Sequence, residues 1–543
     1  MDAQHRHKKG ILLVGYENQE NLGLRSIIAS LRKNGHKAEL QPFFPGSNHD
    51  AVLETIEKLN PDLIGFSLIF QFTLEHFAEL MRYLRRHGVT AHFTAGGHFP
   101  SLRPAETLEL IPELDSIVRF EGEESIIDLY TKLDEPSGWP EIQSIAYRNG
   151  NSVLQTPLRP LIENLDDIPP VIRDGSITTT AGIKTAYMLA SRGCHFNCSF
   201  CSIRQFYGTA QGKLRRTRSP LHVAEEMRDL FTHKNVRFFS FQDDDFAARS
   251  PAQKQWIGEF LRELRNCGLD GNIRWKISCR VDDVEPLLFR EMALHGLFAV
   301  YLGVESGNET GLKTLNKQTT VGRNLEAIET LKAMGFALSA GFMLFDPSST
   351  FPTVRENIRF LAATGSDGYF PVNFGKMLPY AGTPIEQELR LQGKLKGTLT
   401  HPDYDFPDTE LDWYAFLVQK LFAKRNFSPE GVAALLGTDF EYRLAAAFGL
   451  DNSPERTAAM KKNIARSNAL ATRTLGRLLD AVTTMGTQAL LREEETILSI
   501  ADELWTGEAE ITAQNMKLRR DLHDAIEKSP EAACLQRNED SIS

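Results

Sequence analysis

Cysteine is scarce, six in 543 residues, too few for the disulfide framework that small secreted domains use in place of a core. Long apolar runs are missing too, and none approaches the roughly 20 residues a membrane-spanning helix needs. Basic residues are in the minority, 61 Lys and Arg against 71 Asp and Glu for a formal net charge of -10. That balance argues against a broad phosphate-binding surface, and so against nucleic acid as a partner. The local run Lys213, Arg215, Arg216, Arg218 lacks interleaved aromatics and reads as a solvated loop. No internal repeat or low-complexity tract is visible. A secretory leader is also absent from the reading: His5 to Lys9 precede apolar Ile11 to Val14, but the run stops at Gly15 without a small-residue cleavage pattern. It reads as a first buried strand, and a reducing cytoplasm is the expected setting.

What is present is enough for several cores, since 543 residues exceed what one core supports. Short apolar runs at Ile11 to Gly15, Lys37 to Leu40, Leu63 to Ile69, His92 to Ala95 and Ser116 to Phe120 read as strands. Helical patterns such as Leu22 to Lys33 and Leu74 to Arg86 lie between them. Strands separated by helix-length segments imply a parallel sheet covered on both faces, here a five-stranded flavodoxin-like domain over 1–137. Turn signals at Trp139-Pro140, Asn149-Gly150 and Pro169-Pro170 mark 138–182 as a linker.

A second βα series starts at Thr185 to Ala190 and recurs at Arg237 to Phe241, Arg274 to Ser278, Phe298 to Gly303, Ala337 to Leu344 and Gly368 to Phe374. Six such units predict a partial (β/α)6 barrel over 183–400, with its site at the carboxyl ends of the strands. Beyond it, Leu411 to Arg425, Pro454 to Thr484 and Gln488 to Trp505 predict a helical C-terminal region, 401–543, that frays from Ser529.

Half of the cysteines, Cys194, Cys198 and Cys201, crowd into the loop after the first barrel strand. Thiolates are soft donors, and three on one short loop wrap a cuboidal iron-sulfur cluster without strain. A structural zinc site needs four ligands, commonly two plus two, and the fourth is missing. His195 sits inside the loop but is placed away from the common focus of the sulfurs. Cys267 and Cys279 read as packing thiols.

Gly193-Cys194-His195-Phe196-Asn197-Cys198-Ser199-Phe200-Cys201 resembles the C-x-x-x-C-x-x-C loop of the radical S-adenosylmethionine (SAM) superfamily, including the aromatic before the last cysteine. The resemblance implies a [4Fe-4S] cluster held by Cys194, Cys198 and Cys201, whose open iron chelates SAM and whose electron cleaves it to a 5′-deoxyadenosyl radical. Phe241-Gln242-Asp243-Asp244-Asp245-Phe246 resembles the acidic second-strand motif, putting Asp243 and Asp244 at the methionine amino group. Ser278-Cys279-Arg280 resembles the third-strand segment, with Arg280 at the methionine carboxylate. Gly303-Val304-Glu305-Ser306-Gly307 resembles the fourth-strand motif, with Glu305 and Ser306 near the ribose and carboxylate.

The N-terminal sheet resembles the cobalamin-binding domain that precedes the barrel in one large subclass. The matching pieces are Gly65-Phe66-Ser67-Leu68-Ile69, Ala95-Gly96-Gly97-His98-Phe99-Pro100 and Arg119-Phe120-Glu121-Gly122-Glu123-Glu124. The likeness puts Ser67 at the buried tail of cobalamin and Gly96 and Gly97 where the backbone approaches it closely. Mutase-type cobalamin proteins carry a cobalt-ligating histidine in D-x-H-x-x-G; here Asn18-Gln19-Glu20-Asn21-Leu22-Gly23 has Glu20 at that place. The departure implies base-off cobalamin with no histidine ligand, and His98 reads as a corrin-periphery or packing residue.

The two domains together imply a methyltransferase. Cobalamin takes the methyl of one SAM, and a second SAM supplies the radical that activates an unreactive carbon or phosphorus centre of a small-molecule substrate. A reductant such as flavodoxin or ferredoxin is the implied protein partner. Two other classes stand beside this reading, a radical enzyme that cyclises, contracts or rearranges without methylation, and a non-catalytic cobalamin sensor or scaffold; the intact cysteine loop speaks against the last. Tyr380, after the last barrel strand, is either a substrate contact or a turn anchor.

Overall fold

Every residue of the apolar run Ile11–Gly15 is buried, because its strand is covered on both faces. Leu12 and Val14 pack with Ile64, Phe66, Phe77 and Leu80 on one side, and Ile11 and Leu13 with Leu24, Ile28 and Leu31 on the other. This double burial explains why the strand reads as a continuous rather than an alternating apolar run. The computed structural model describes residues 9–531 apart from 18, 176, 248, 487, 488 and 490–493. The chain divides into two units: Met1–Ser176, Tyr187–Ser219 and Pro379–Asp403 form the first, and Ile177–Ala186, Pro220–Leu378 and Tyr404–Ser543 the second.

The main sheet of the first unit has seven strands among the described residues: β1 (Ile11–Gly15), β2 (Ala38–Pro42), β3 (Leu63–Ser67), β4 (His92–Gly96), β5 (Ser116–Val118), β6 (Ile145–Asn149) and β7 (Ser152–Gln155). Their order is β2-β1-β3-β4-β5-β6-β7. The parallel five, β1 to β5, are the expected flavodoxin-like sheet. The expected helices are there at Leu22–Lys33 and Leu74–Arg86. The Asn21 side chain caps the first by accepting the Leu24 N–H at 3.1 Å. Residues 145–155, read from the sequence as connection, instead extend the sheet as an antiparallel hairpin. The turn at Asn149-Gly150 is its tip, with Gly150 at φ +60°. The hairpin escapes the apolar pattern because β7 lies at the sheet edge and is largely exposed.

The second sheet runs β16-β15-β14-β13-β12-β9-β8 and curls into a half-barrel. Its strands are β8 (Thr179–Thr180), β9 (Ile183–Met188), β12 (Phe238–Phe241), β13 (Arg274–Arg280), β14 (Leu297–Glu305), β15 (Ala337–Phe345) and β16 (Gly375–Lys376). A separate antiparallel pair, β10 (Ser191–Arg192) with β11 (Arg216–Thr217), lies in the first unit. The expected sixth strand at Gly368 to Phe374 does not form; β16 takes its place two residues long. Side chains occupy the hydrogen bonds a strand would need. Asn468 receives the Val372 N–H and donates to the Phe370 carbonyl, Arg425 donates to the Val372 carbonyl, and Asn426 donates to that of Phe374.

The C-terminal region is helical as expected, dominated by Pro454–Met485 and Glu494–Lys528. Leu470, Leu475, Leu478 and Val482 form the buried stripe of the first, and Arg473 pairs with Glu503 of the second at 3.2 Å. The expected start at Gln488, and most of the stretch after Ser529, lie outside the described residues. No described helix is long and apolar enough to cross a membrane.

Candidate functional site

The cysteine loop begins at Gly193, whose φ of +83° suits glycine. A Cβ there would meet the Leu214 carbonyl oxygen at 1.8 Å, so this close crossing requires glycine beside Cys194. The Cys201 N–H donates to the Cys198 carbonyl at 3.2 Å, closing a tight turn between two of the cysteines. Cys198 is buried, and Cys194 and Cys201 are half-buried. Among the described residues no three His, Cys, Asp or Glu side chains converge as a single metal ion would require. A cuboidal cluster makes no such demand, because each thiolate binds a different iron.

Buried ion pairs fasten this loop within the first unit. Arg192, two residues before Cys194, pairs with Glu123 at 2.5 Å and Glu121 at 3.1 Å, and Arg216 pairs with Glu121 at 2.9 Å. Ser26 also donates to Glu123, at 2.9 Å. Burial alone would raise the Glu123 carboxyl, but the Arg192 guanidinium outweighs it and holds the group below the ordinary carboxylate range. Arg216 thereby leaves the basic run read as a solvated loop: its side chain is 2% exposed. Farther along, the Ile385 N–H donates to the Ser199 carbonyl at 3.0 Å. Pro379–Asp403 thus belongs with the loop and not with the barrel to which its position in the sequence assigned it.

Ser67, Gly96 and Gly97 come together at the carboxyl edge of the first sheet. Ser67 and Gly96 are register partners, and a Cβ on Gly15 at the end of β1 would lie 3.1 Å from that of Ser67. β1 and β3 flank the point where strand order reverses, the usual ligand crevice of such sheets. Gly97, at φ +114°, has its Cβ position 2.7 Å from the Leu68 carbonyl oxygen. Protein backbone therefore already requires glycine there, whatever ligand approaches. His98 packs its ring on Phe206, centroids 4.3 Å apart, with Nδ1 3.2 Å from Ser202 Oγ, just past Cys201. Burial pushes its pKa down to about 4. Glu20 accepts the Tyr187 N–H at 2.9 Å and pairs with Arg173 at 3.5 Å and Arg25 at 3.6 Å. Its carboxylate is a buried tether.

In the second unit Asp243, Arg280 and Glu305 stand at the carboxyl ends of β12, β13 and β14. Asp243 is buried and Asp244 exposed, so the structure separates a pair the sequence treats alike. Arg280 is 5% exposed and donates to Asp282 at 2.9 Å and to the Lys317 carbonyl. Glu305 adopts φ +66°, a strained conformation for a non-glycine residue, and pairs with Lys317 at 3.0 Å. Gly303 leaves room for that pair, since a Cβ there would lie 2.8 Å from Glu305 Oε1. Ser306 is the exception to the expected site. It is fully buried, and its hydroxyl is bonded to Asn308 and to Asn357 of the helix Phe351–Gly365 that follows β15. The small turn after Glu305 folds inward onto these amides, so Ser306 shapes the loop from behind. Cys279 is buried, its thiol pushed well up by burial and then by Asp283 and Asp245, in keeping with a packing role.

Sequence reasoning missed Lys276 and Tyr301. Trp275 packs on Phe241, Phe246 and Phe260, so Lys276, Ser278 and Arg280 alternate onto the opposite, inward face of the half-barrel. Tyr301 is the register partner of both Ser278 and Ser339 and shares that face. The clue lies in the alternation Trp275-Lys276-Ile277-Ser278-Cys279-Arg280, polar on every second residue.

Three thiols, with no fourth ligand in their loop, suit a cluster with an open iron, and the Ser67–Gly96 edge suits a nucleotide-like tail at the reversal point. The chain matches the B12 binding domain family over residues 8–129 and the Radical SAM superfamily over 188–361. It is similar to an anaerobic magnesium-protoporphyrin IX monomethyl ester cyclase of Cereibacter sphaeroides, 29% identical over 357 residues, covering 64% of this chain and 56% of that protein. It is similar as well to an uncharacterized methyltransferase of Pyrococcus horikoshii, 26% identical over 367 residues, covering 67% of this chain and 77% of that protein. The chain thus spans little more than half the length of the cyclase. Its fold resembles that of the cobalamin-dependent SAM radical enzyme OxsB, solved with aqua-cobalamin and SAM bound, at TM-score 0.69 and 18% identity, over 96% of this chain and 81% of that one. Its cofactors are a [4Fe-4S] cluster, SAM and cobalamin. With a B12-binding domain followed by a radical SAM domain, the chain belongs to the family of cobalamin-dependent radical SAM enzymes.

Proposed function

We propose that this enzyme transfers a methyl group to an unactivated carbon or phosphorus centre of a small-molecule substrate. The observation that supports this reading most is the fastening of the cysteine loop inside the cobalamin unit through Arg192, Glu121 and Glu123. A methyl carrier and a radical source have to serve one substrate atom, and a buried charge network holds their two loops to a common frame. The similarity to a methyltransferase points the same way. In this reading Cys194, Cys198 and Cys201 hold the cluster, and Asp243, Asp244, Arg280 and Glu305 surround SAM. Ser67, Gly96 and Gly97 border the cobalamin tail. Cobalamin supplies a methyl carrier, and the cluster supplies the electron that cleaves SAM. The protein's task is to orient substrate and exclude water.

A second reading, radical cyclisation without methylation, is supported by the similarity to the cyclase. Anaerobic reconstitution with iron, sulfide and hydroxocobalamin, then turnover of a small-molecule extract with methyl-deuterated SAM, separates the two by mass spectrometry. Methyl transfer yields a deuteromethylated product with both 5′-deoxyadenosine and S-adenosylhomocysteine. Cyclisation yields 5′-deoxyadenosine alone and an unlabelled product.

A further inference from the structure

The inward face of the half-barrel carries a contiguous set of polar side chains to which the cofactor motifs assign no role, although Ser278 lies within one of those motifs. Lys276 is paired in register with Ser240 and Ala299, and Ser278 with Tyr301, which in turn faces Ser339. Four donors thus occupy neighbouring positions on β13, β14 and β15. Among the described residues, none of the Lys276 ammonium, the Ser278, Ser339 and Tyr301 hydroxyls has a hydrogen-bond or ion-pair partner within the protein. The carboxylate of this face, Glu305, is already paired with Lys317 at 3.0 Å, and Arg280 has Asp282 at 2.9 Å. Lys276 is therefore a cation with no resident anion.

The surroundings are built to keep these groups open. Ala299, Ala337 and Gly341 share the inward row, and a Cβ at Gly341 would meet the Tyr301 hydroxyl at 2.4 Å. Glycine at that position holds space for the phenol, while Tyr301 remains 40% exposed. Burial and then Glu305 push the Tyr301 hydroxyl up to about 12, so at neutral pH it is a donor. Burial also draws the Lys276 ammonium below its ordinary range, the effect a bound anion would reverse. One cation and three hydroxyls, all lacking acceptors, form a donor array with a net positive charge, and its complement is an oxyanion.

We propose that Lys276, Ser278, Tyr301 and Ser339 anchor the substrate through an anionic group, a carboxylate or a phosphate. Calling this ligand the substrate rests on the methyl-transfer reading; the anion site itself does not. The test uses the cluster- and cobalamin-loaded enzyme without SAM, titrated calorimetrically with inorganic phosphate and, separately, with acetate at constant ionic strength. The wild type is expected to bind one of the two saturably. Lys276→Met should weaken that binding at least tenfold, Lys276→Arg should restore it to within about threefold, and Tyr301→Phe should weaken it by about three- to tenfold. Preference for phosphate assigns a phosphorylated substrate, and preference for acetate a carboxylate. Iron and cobalamin contents are measured first, and if Lys276→Met loses either, Tyr301→Phe decides. Absence of saturable binding to the wild type, or equal binding by wild type and the deciding variant, overturns the proposal. No methyl transfer enters the measurement, so its failure and that of the methyl-transfer reading are told apart.

Discussion

The carboxylate of Glu20 accepts the backbone N–H of Tyr187 at 2.9 Å. The residue that stands where mutase-type proteins place a cobalt ligand is here spent on holding the backbone at Tyr187 within the first unit, with Arg173 and Arg25 as its counter-charges. The expected outcome is that cobalamin, when bound, carries no histidine nitrogen on cobalt. Electron paramagnetic resonance of the cob(II)alamin form should show cobalt lines without triplet splitting, in the wild type and in a His98→Gln variant alike. Glu20→Ala should leave that spectrum unchanged while lowering stability by roughly 1.5 to 3 kcal/mol, since it removes the buried carboxylate that accepts the Tyr187 N–H. Triplet splitting in the wild type would place a nitrogen on cobalt and refute the assignment.

Removal of any one of the three cluster thiols is the sharpest chemical test. Cys194→Ala, Cys198→Ala and Cys201→Ala should each cut bound iron substantially and reduce 5′-deoxyadenosine formation under dithionite by more than about a hundredfold, because an incompletely ligated cluster does not persist. Cys279→Ala, at a packing position, should retain iron. A triple variant that still cleaves SAM would end the cluster assignment.

At the carboxyl ends of β12 to β14 the structure separates residues that the motifs group together. Arg280→Met and Asp243→Asn should weaken SAM binding by about one to two decades, the value of a charge-assisted contact of roughly 1.5 to 3 kcal/mol. Arg280→Met should also destabilise the fold, since Asp282 loses its counter-charge and keeps only the Thr319 hydroxyl. Ser306→Ala should act on the melting temperature and leave SAM affinity within about threefold, its hydroxyl being committed to Asn308 and Asn357. Equilibrium dialysis with labelled SAM distinguishes these cases, and a large affinity loss in Ser306→Ala would return that residue to the site.

His98 gives the first unit a pH dependence of definite sign. The folded protein protonates it only near pH 4, against 6.5 when unfolded. Between those values the unfolded chain binds more protons, so the contribution is complete above 6.5 and is lost as pH falls toward 4. About 2 kcal/mol should disappear between pH 7 and 5. Denaturant unfolding at both values should show a smaller acid loss in His98→Gln. The remainder is expected from His92, which burial likewise pushes down to about 4. Identical pH profiles in wild type and variant would contradict the burial of the ring.

Legibility in the sequence followed how local each constraint is. The cysteine spacing, the helix Leu22–Lys33 and the continuous run of β1 are set by neighbours in the chain, and all three could be read directly. The hairpin β6–β7 could not, because an exposed edge strand buries too little to leave a period. The strand expected at Gly368 to Phe374 failed because Asn468 and Arg425, roughly 50 to 100 residues away in sequence, take its backbone bonds. Glu20 and Ser306 were located by motif but not understood, since each is defined by partners that no motif contains. Lys276 left a trace in the alternation of β13, yet which face looks inward is fixed only by the packing of Trp275.

The return of the chain at Pro379–Asp403 to the first unit bears on biogenesis. Gln71 donates to the Leu399 carbonyl and accepts from Ala381, and Arg103 pairs with Glu386 at 2.9 Å. During synthesis these partners leave the ribosome some 300 residues after the strands they brace. A nascent chain halted before Asp403, like a fragment cut at residue 137 or 176, holds an open version of the cobalamin unit with buried polar groups still waiting for acceptors. The bracing of the first unit is therefore complete only once Asp403 has been made, and the N-terminal sheet excised alone lacks it.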